Sequence, residues 1–267
     1  MRFFRFGLIW TALVVSMLAF AIQSPQPCMG NTDTEASAEL PFAPGERLVF
    51  ELRWAVVPAG KAVLEVMPMK TIDGTEVYHF RMTAESNAFV DMFYKVRDRI
   101  DSYVTADMSG TIHYRQKQHE GSSKRNIKVQ FDWNNSTAQY SDGRKTRNAI
   151  DIVPGTFDPL SVFYYSRLVK FEPNGMIECP ISDGKKLVSG SAKVVRKETI
   201  EVPGGRFETY LIEPELKDIG GVFKKSKDAK IQLWVTADKR RLPVKIASKV
   251  SVGSFVGELI TIEKGQS

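Results

Sequence analysis

Apolar and polar residues alternate strictly in a segment near position 50. The even positions of this segment are all apolar and the odd ones are mixed; the apolar residues are Leu48, Phe50, Leu52, Trp54 and Val56. Because successive side chains of a β-strand point to opposite faces, this period of two predicts a strand with one buried face. Pro58-Ala59-Gly60 follows, and we read it as the turn of a hairpin.

Comparable alternation predicts strands along most of the chain. They fall near 46–57, 62–66, 78–84, 97–105, 111–119, 124–133, 137–141, 176–181, 185–201, 206–215, 229–237, 242–251 and 255–263. The short connections imply antiparallel neighbours, and this many strands must curl into a barrel, a half-barrel or two layers. We expect a mainly β protein with a strongly curved antiparallel sheet and one or two short helices on its concave side.

Two segments carry helix signals. Ser86-Asn87 can cap a short helix that runs to about Tyr94. Asp158-Pro159 starts the second helix, because Asp accepts from free backbone N–H groups and Pro suits the first helical position. Its residues Leu160, Phe163, Tyr164 and Leu168 share one face, and we expect that face to lie against the sheet.

The N-terminal residues have the composition of an export signal. Arg2 and Arg5 precede an apolar stretch, and Ala19-Phe20-Ala21 offers small residues at a cleavage site. The sequence therefore predicts a signal peptide at 1–21, a flexible tether at 22–41 and one antiparallel β domain at 42–265. An uncleaved N-terminal anchor in the inner membrane is the alternative, and membrane association is expected only in that case.

Charge and cysteine content exclude few classes of binding partner. The chain has 37 Lys plus Arg against 31 Asp plus Glu, a net charge of +6, and the basic residues are scattered. Scattered charge indicates solvated surfaces, with weak attraction to anionic lipid or polysaccharide as the alternative, and no nucleic-acid platform is present. Cys28 and Cys179 are compatible with a disulfide in an oxidising compartment, but the spacing does not decide whether they pair.

Motifs for catalysis or metal binding are weak. His113 and His119 share a strand face but lie about 20 Å apart along it, too far for one ion, and His79 is read as an ordinary histidine. Ser182 and Lys185 match a Ser-x-x-Lys spacing, yet Asp-Gly between them indicates a turn rather than a helix. We therefore expect no metal site, no cofactor and no catalytic residues; a pair of carboxylates meeting in a cleft stays open.

Aromatic residues are concentrated in the two helical segments. Core packing is their usual role. The alternative is an apolar cavity between helices and curved sheet that holds an acyl chain or a similar ligand. The candidate ligand-binding residues are Phe93, Phe163, Tyr164, Arg167 and Trp234. In this interpretation Arg167 or the hydroxyls of Tyr164 and Tyr165 meet a polar head group.

Three blocks of sequence resemble a known family. They are Pro44-Gly45-Glu46-Arg47-Leu48-Val49-Phe50 with Gly60-Lys61-Ala62, Asp158-Pro159-Leu160 with Tyr164-Tyr165-Ser166-Arg167-Leu168, and Ile231 to Asp238 with Arg241-Leu242-Pro243-Val244. Over about 42–263 the chain resembles the exported bacterial family called domain of unknown function 3108. The resemblance implies the periplasm or cell envelope of a Gram-negative bacterium and no particular activity.

The predicted architecture is similar to carriers of the LolA/LolB type, which hold acyl chains in a half-barrel. This comparison rests on architecture alone, and fold does not determine function. The leading hypothesis is a non-enzymatic periplasmic protein that binds a lipid or another apolar envelope molecule. The alternatives are a structural or assembly factor that contacts an envelope protein and, with less support, a hydrolase of envelope glycans.

Overall fold

The computed structural model describes residues 40–215, 229–250 and 253–265. The predicted signal peptide, most of the predicted tether, and Cys28 lie outside the described residues. The described strands are β1 (Arg47–Trp54), β2 (Val57–Ile72), β3 (Thr75–Ser86), β4 (Arg97–Thr105), β5 (Thr111–Glu120), β6 (Ser123–Asp132), β7 (Thr137–Ser141), β8 (Ile150–Asp151), β9 (Met176–Ser182), β10 (Leu187–Val202), β11 (Gly205–Pro214), β12 (Lys230–Thr236), β13 (Pro243–Val250) and β14 (Gly253–Glu263). The described helices are α1 (Ala88–Asp91) and α2 (Ser161–Ser166).

All the described strands belong to one antiparallel sheet. Its order is β8-β7-β6-β5-β4-β3-β2-β1-β14-β13-β12-β11-β10-β9, with β8 and β9 at the edges. The first and the last strand of the chain pair in the middle of the sheet, where Arg47 is opposite Glu263. The predicted mainly β, barrel-like architecture is confirmed: the sheet is open rather than closed.

Strand β1 places its apolar face inside, as the alternation predicts. Leu48, Phe50 and Leu52 are buried at 1%, 6% and 9% exposure, whereas Trp54 is 37% exposed. The predicted hairpin turn is misplaced, because the chain reverses at Ala55 and Val56 and the segment 58–60 already lies in β2. Ala55 adopts a positive φ of 51°, a conformation that the residue type does not signal.

Contacts between distant strands show how strongly the sheet curves. The turn between β9 and β10 reaches across to β6 and β7, where Lys185 Nζ lies 4.4 Å from the centre of the Tyr140 ring. A Cβ placed on Gly184 would lie 2.6 Å from a methyl carbon of Val129. Gly184 also has a φ of 76°. The turn therefore fits only because this position lacks a side chain.

We expect Gly184→Ala to lower the free energy of unfolding by about 2 kcal/mol, from left-handed strain plus overpacking. Gly74→Ala is a matched control, since Gly74 has a φ of 80° and nothing within 4 Å of an added Cβ. The control should lose about 1 kcal/mol, from strain alone. Denaturant unfolding of both variants measures the difference; equal losses would mean that the turn does not pack tightly against β6.

Both predicted helices exist, but each is shorter than expected. Asn87 caps α1, and its side-chain oxygen accepts from the N–H of Val90 at 2.9 Å. The second helix begins at Ser161 rather than at Pro159, because Pro159 and Leu160 form a turn before it. Asp158 still holds the N–H groups of this turn, as predicted for a cap. Helix α2 buries Ser161, Val162 and Tyr164, whereas α1 buries none of its residues.

A buried polar network fixes the start of α2 on the inner face of the sheet. The two oxygens of Asp158 accept from the hydroxyls of Ser102 (2.5 Å) and Thr111 (2.9 Å) and from the backbone N–H of Leu160 (2.8 Å) and Ser161 (3.1 Å). Asp158 is fully buried. Burial raises the pKa of its carboxyl, and the hydrogen bonds only partly oppose this. Helix α2 is thus held to β4 and β5 at a defined point.

Candidate functional site

An apolar cleft lies between α2 and the inner face of the sheet. Its first cavity has a volume of about 90 Å³ and is bounded by side chains of β1 to β4, β12, β13 and the start of α2. Phe50, Leu52, Leu64, Leu160 and Phe163 are among the lining residues. The alternating strands therefore supply the walls of this cavity, and α2 covers it.

A second cavity of about 90 Å³ adjoins the first one beside α2. Ile177 and Cys179 of β9 contribute to its lining. Phe163, Leu233 and Ile246 line both cavities. Each of these three side chains is partly exposed. The half-buried ring of Phe163 therefore lies between two halves of one apolar cleft. Cys179 is buried and is not a free thiol.

Among the described residues that line the first cavity, a charged side chain is found only at the margin. Lys245 is its one charged lining residue. Its ammonium is paired with Glu258, with 2.7 Å between Nζ and Oε1, and lies 5.7 Å from the ring centre of Trp234. A cleft lined in this way favours hydrocarbon, with one cation near its edge.

Arg167 does not face the cleft, which corrects the expectation that it meets a ligand head group. It is 1% exposed, and its guanidinium binds Glu46 in a bidentate pair at 2.6 and 2.9 Å. It also donates to the backbone oxygens of Pro41 at 2.7 Å and Arg240 at 3.1 Å. Its donors are thus engaged within the protein. Arg167 connects the residues before β1 with α2 and the turn after β12.

Tyr164 is also a core residue rather than a lining residue. It is 1% exposed, and its ring stacks on Phe80 with 3.8 Å between centroids. Its hydroxyl has no hydrogen-bond partner among the described residues. Burial raises the pKa of this hydroxyl well above its ordinary value, and the nearby Glu46 carboxylate adds to the effect. The proposed contact of Tyr164 with a head group therefore lacks access.

Phe93 and Trp234 lie outside the two cavities. Phe93 is 74% exposed beyond α1. Trp234 follows Leu233 and so projects from the opposite face of β12, where its Nε1 donates to Glu198 at 2.9 Å. Of the five residues proposed from the sequence, the structure places Phe163 in the cleft. Leu233 and Ile246 were missed, although their positions in alternating strands were a usable signal.

Two buried carboxyl groups meet on the inner face, but their geometry does not match a glycosidase. Asp98 and Glu120 are each 5% exposed and hydrogen-bond to one another, and Asp98 also accepts from the N–H of His119 at 2.9 Å. Burial raises the pKa of Asp98. Glycosidases hold their two carboxyl groups about 5 Å or more apart to admit a sugar, and a directly bonded, buried pair leaves no such room.

A second charged cluster surrounds His79 on the other face of the sheet. Asp101 Oδ1 lies 2.7 Å from His79 Nε2, and the carboxylate also accepts from Arg81 and Arg99. Burial acts to raise the pKa of Asp101, but these hydrogen bonds outweigh it and hold the pKa below its ordinary value. His79 itself is 1% exposed and its ring is closed off from solvent, whereas Arg99 of the same cluster is exposed.

The described residues contain neither of two other common site types. No group of three or more His, Cys, Asp or Glu side chains is arranged there to hold a metal ion. Within the same ranges, no helix is sufficiently long and apolar for a membrane span.

Fold and cleft together define a mainly β protein whose open antiparallel sheet curves around an apolar interior. A family model described as "Protein of unknown function (DUF3108)" matches residues 49–260. The chain belongs to this DUF3108 family, as the three sequence blocks indicate. Glu46 and Arg167, which stand in those sequence blocks, form the buried ion pair described above.

Comparison with solved structures supports the fold. A β-barrel-like protein of domain of unknown function DUF1849 from Brucella abortus aligns with a TM-score of 0.52 and 10% identity, covering 85% of this chain and 100% of that chain. A protein with a YmcC-like fold from Bacteroides fragilis is less similar, with a TM-score of 0.36 and 12% identity over 84% of this chain and 98% of that chain. No curated protein matches the chain.

Proposed function

We propose that this protein binds the hydrocarbon part of a lipid or of a similar apolar envelope molecule in the cleft beside α2. The observation that carries the proposal is the pair of adjoining apolar cavities separated by Phe163. Ligand pockets for small molecules are concave and mostly apolar, with few polar groups. The protein acts in this proposal as a binding protein and not as an enzyme.

The size of the cleft sets a condition on binding. Each cavity, at about 90 Å³, holds only a short piece of an acyl chain. A pocket for a whole small ligand is usually several hundred Å³. A ligand of that size requires the Phe163 ring to move aside so that the two cavities join. Since this ring is only half-buried, a rotamer change exposes no large new core surface.

Two substitutions in the cleft test this proposal with a fluorescent fatty acid. Leu233→Trp adds bulk to both cavities, and we expect affinity to fall about tenfold through the loss of roughly two methylene contacts. Phe163→Ala joins the cavities, and we expect unchanged or tighter binding. Phe89→Ala removes an equal side chain from an exposed position and is the control. Thermal unfolding confirms that each variant is folded.

Native mass spectrometry of protein recovered from the envelope of a Gram-negative host gives an independent reading. A bound mass that organic extraction removes supports the proposal. A ligand-free mass combined with no uptake of the fluorescent probe by wild type or by Phe163→Ala contradicts it. Fractionation of the same cells tests the predicted export to the periplasm, which the N-terminal Arg2, Arg5 and apolar stretch support.

One observation favours the alternative of an assembly factor. Exposed cations lie directly opposite each other across strands on one face of the sheet, as Arg115 with Lys128 and as Arg99, which also binds Asp101, with Lys117. Like charges in register destabilise a sheet, so a face of this kind suits an anionic protein partner. Crosslinking in the periplasm distinguishes the two functions: a specific partner and an empty cleft favour assembly.

A further inference from the structure

Exposed apolar side chains are concentrated at one end of the sheet. Seven large hydrophobic residues of the described ranges are exposed, and six of them belong to the β1–β2 turn or to the segment of α1. These six, which we call the apolar rim, are Trp54, Val56, Val57, Phe89, Met92 and Phe93. A cluster of this kind on a folded protein usually marks an interaction site.

The two parts of the apolar rim lie side by side. Asn87, at the start of α1, bonds through its backbone N–H to the oxygen of Ala59 at 2.9 Å and through its side chain to that of Pro58 at 2.7 Å. These bonds hold α1 against the beginning of β2. The apolar rim is therefore one surface rather than two unrelated patches.

Helix α1 and the two residues after it expose their apolar side to solvent, unlike an ordinary surface helix. Phe89, Met92 and Phe93 have the spacing of one helical face, and they are 57%, 69% and 74% exposed. Their neighbours Val90 and Tyr94 pack, partly buried, against the core. An amphipathic helix normally turns its apolar face inward, so these three side chains are placed for contact with something outside the protein.

Basic residues border the apolar rim. Lys95 follows α1 and its backbone oxygen accepts from Gly121, which brings the β5–β6 turn with Lys124 to the same end. Lys249 of β13 is opposite Ser254, whose oxygen accepts from Ala55 in the β1–β2 turn. These three lysines are exposed.

The acidic residues of α1 and of the strand end just before it are balanced by cations. Asp91 of α1 is paired with Arg97, with 2.6 Å between Oδ2 and Nη2. Glu85 is exposed but stands opposite Lys61 and Arg97 in the sheet. Among the residues that the structure describes, the exposed surroundings of the apolar rim are thus basic on balance.

We propose that the apolar rim inserts into the interface of an anionic lipid bilayer. Aromatic and apolar side chains at projecting turns suit the headgroup boundary, and flanking lysines suit a negatively charged membrane surface. A protein partner would need acidic groups around a matching apolar groove, and the vesicle experiment below decides between the two. The proposal does not require the cleft to hold a ligand.

The apolar rim adjoins the cleft. Leu52 lines the first cavity, and Trp54 follows two residues later on the same face of β1, about 7 Å further along the strand. Contact with a bilayer would therefore bring the cavity close to the lipid. This arrangement links the two proposals without making either depend on the other.

A local optical probe tests the contact. Residues 6–22 are apolar and can bind vesicles on their own, so sedimentation of the full chain is not sufficient. Phe93→Trp places a reporter in the apolar rim, and Met176→Trp places one at the seventh exposed hydrophobic position, in β9. Vesicles of phosphatidylethanolamine and brominated phosphatidylglycerol should quench the added emission at 93 but not at 176, each measured against the wild-type signal.

Matched substitutions measure the strength of the contact through the reporter at 93. Met92→Ser should weaken vesicle binding about tenfold, whereas Met176→Ser, the same chemical change, should leave it unaltered. The double change Lys95→Glu with Lys124→Glu should weaken binding at least fivefold on anionic vesicles and leave phosphatidylcholine vesicles unaffected. Lys239→Glu, in the turn at the opposite end of β12, is its control.

The outcomes are distinct. Equal quenching at 93 and 176, or no quenching at 93, overturns the proposal, as does loss of binding with Met176→Ser equal to that with Met92→Ser. Failure of the fatty-acid experiment with quenching intact removes the proposed function and leaves this surface in place. Loss of quenching at 93 with fatty-acid binding intact removes the membrane proposal and leaves the proposed function in place.

Discussion

Arg167→Met is expected to lower the free energy of unfolding by about 3–5 kcal/mol, because it leaves the Glu46 carboxylate buried without its partner. Glu46 is 8% exposed and Arg167 1%. The substitution also removes donors from the backbone oxygens of Pro41 and Arg240. Chemical denaturation of wild type and variant measures the loss.

Two controls separate the buried pair from a general effect of removing arginine. Arg240→Met breaks an exposed pair with Asp238, and we expect less than about 1 kcal/mol. The double substitution Glu46→Leu with Arg167→Met removes both charges and should recover part of the loss. A loss for Arg167→Met no larger than that for Arg240→Met would show that the pair does not connect these segments.

Asp158→Ala is expected to cost about 3 kcal/mol, since it removes the common acceptor of two hydroxyls and two backbone N–H groups in the core. The loss of unfolding free energy is partly offset because Thr111 and Ser161 also bond to each other, with 2.8 Å between their hydroxyl oxygens. Asp158→Asn retains one acceptor and the shape of the side chain, and it should cost less than Asp158→Ala.

Wild type and Asp158→Asn should also differ in how their stability changes with pH, and the direction of this difference follows from the pKa shift. The folded state raises the pKa of Asp158, so its contribution to stability is fully present below the ordinary carboxyl pKa of about 4 and is lost as pH rises through the folded-state value. Asp158→Asn cannot titrate. The stability of wild type relative to Asp158→Asn should therefore decline as pH increases from about 4. A difference that grows with pH would mean that the buried carboxylate is stabilised as an anion.

Strands were predictable from the sequence because burial on one face imposes a period of two. The boundaries of β4 and β7 agree with the prediction to the residue. The β1–β2 turn was not predictable, since Ala55 carries no sign of its positive φ and Pro58-Ala59-Gly60 offered a stronger turn signal. Strand β8, with two residues, is too short to show any alternation.

The candidate site was predictable only in part. Alternation and helical spacing show which residues share a face but not what covers that face. Phe163 and Phe93 have the same kind of signal, yet one lies in the cleft and the other on the surface. Arg167 was assigned to a ligand because its partner, Glu46, is 121 positions away, and no local pattern connects the two.

The pairing of β1 with β14 has a consequence for how the chain folds. The central seam of the sheet joins residues more than 200 positions apart, so loop-closure entropy must be overcome before the two halves meet. Because a chain is synthesised from its amino terminus, β14 is made last and this central pairing forms last. Folding should therefore be slow and should wait for the carboxyl-terminal strand, leaving an interval in which a chaperone can hold the exposed halves apart.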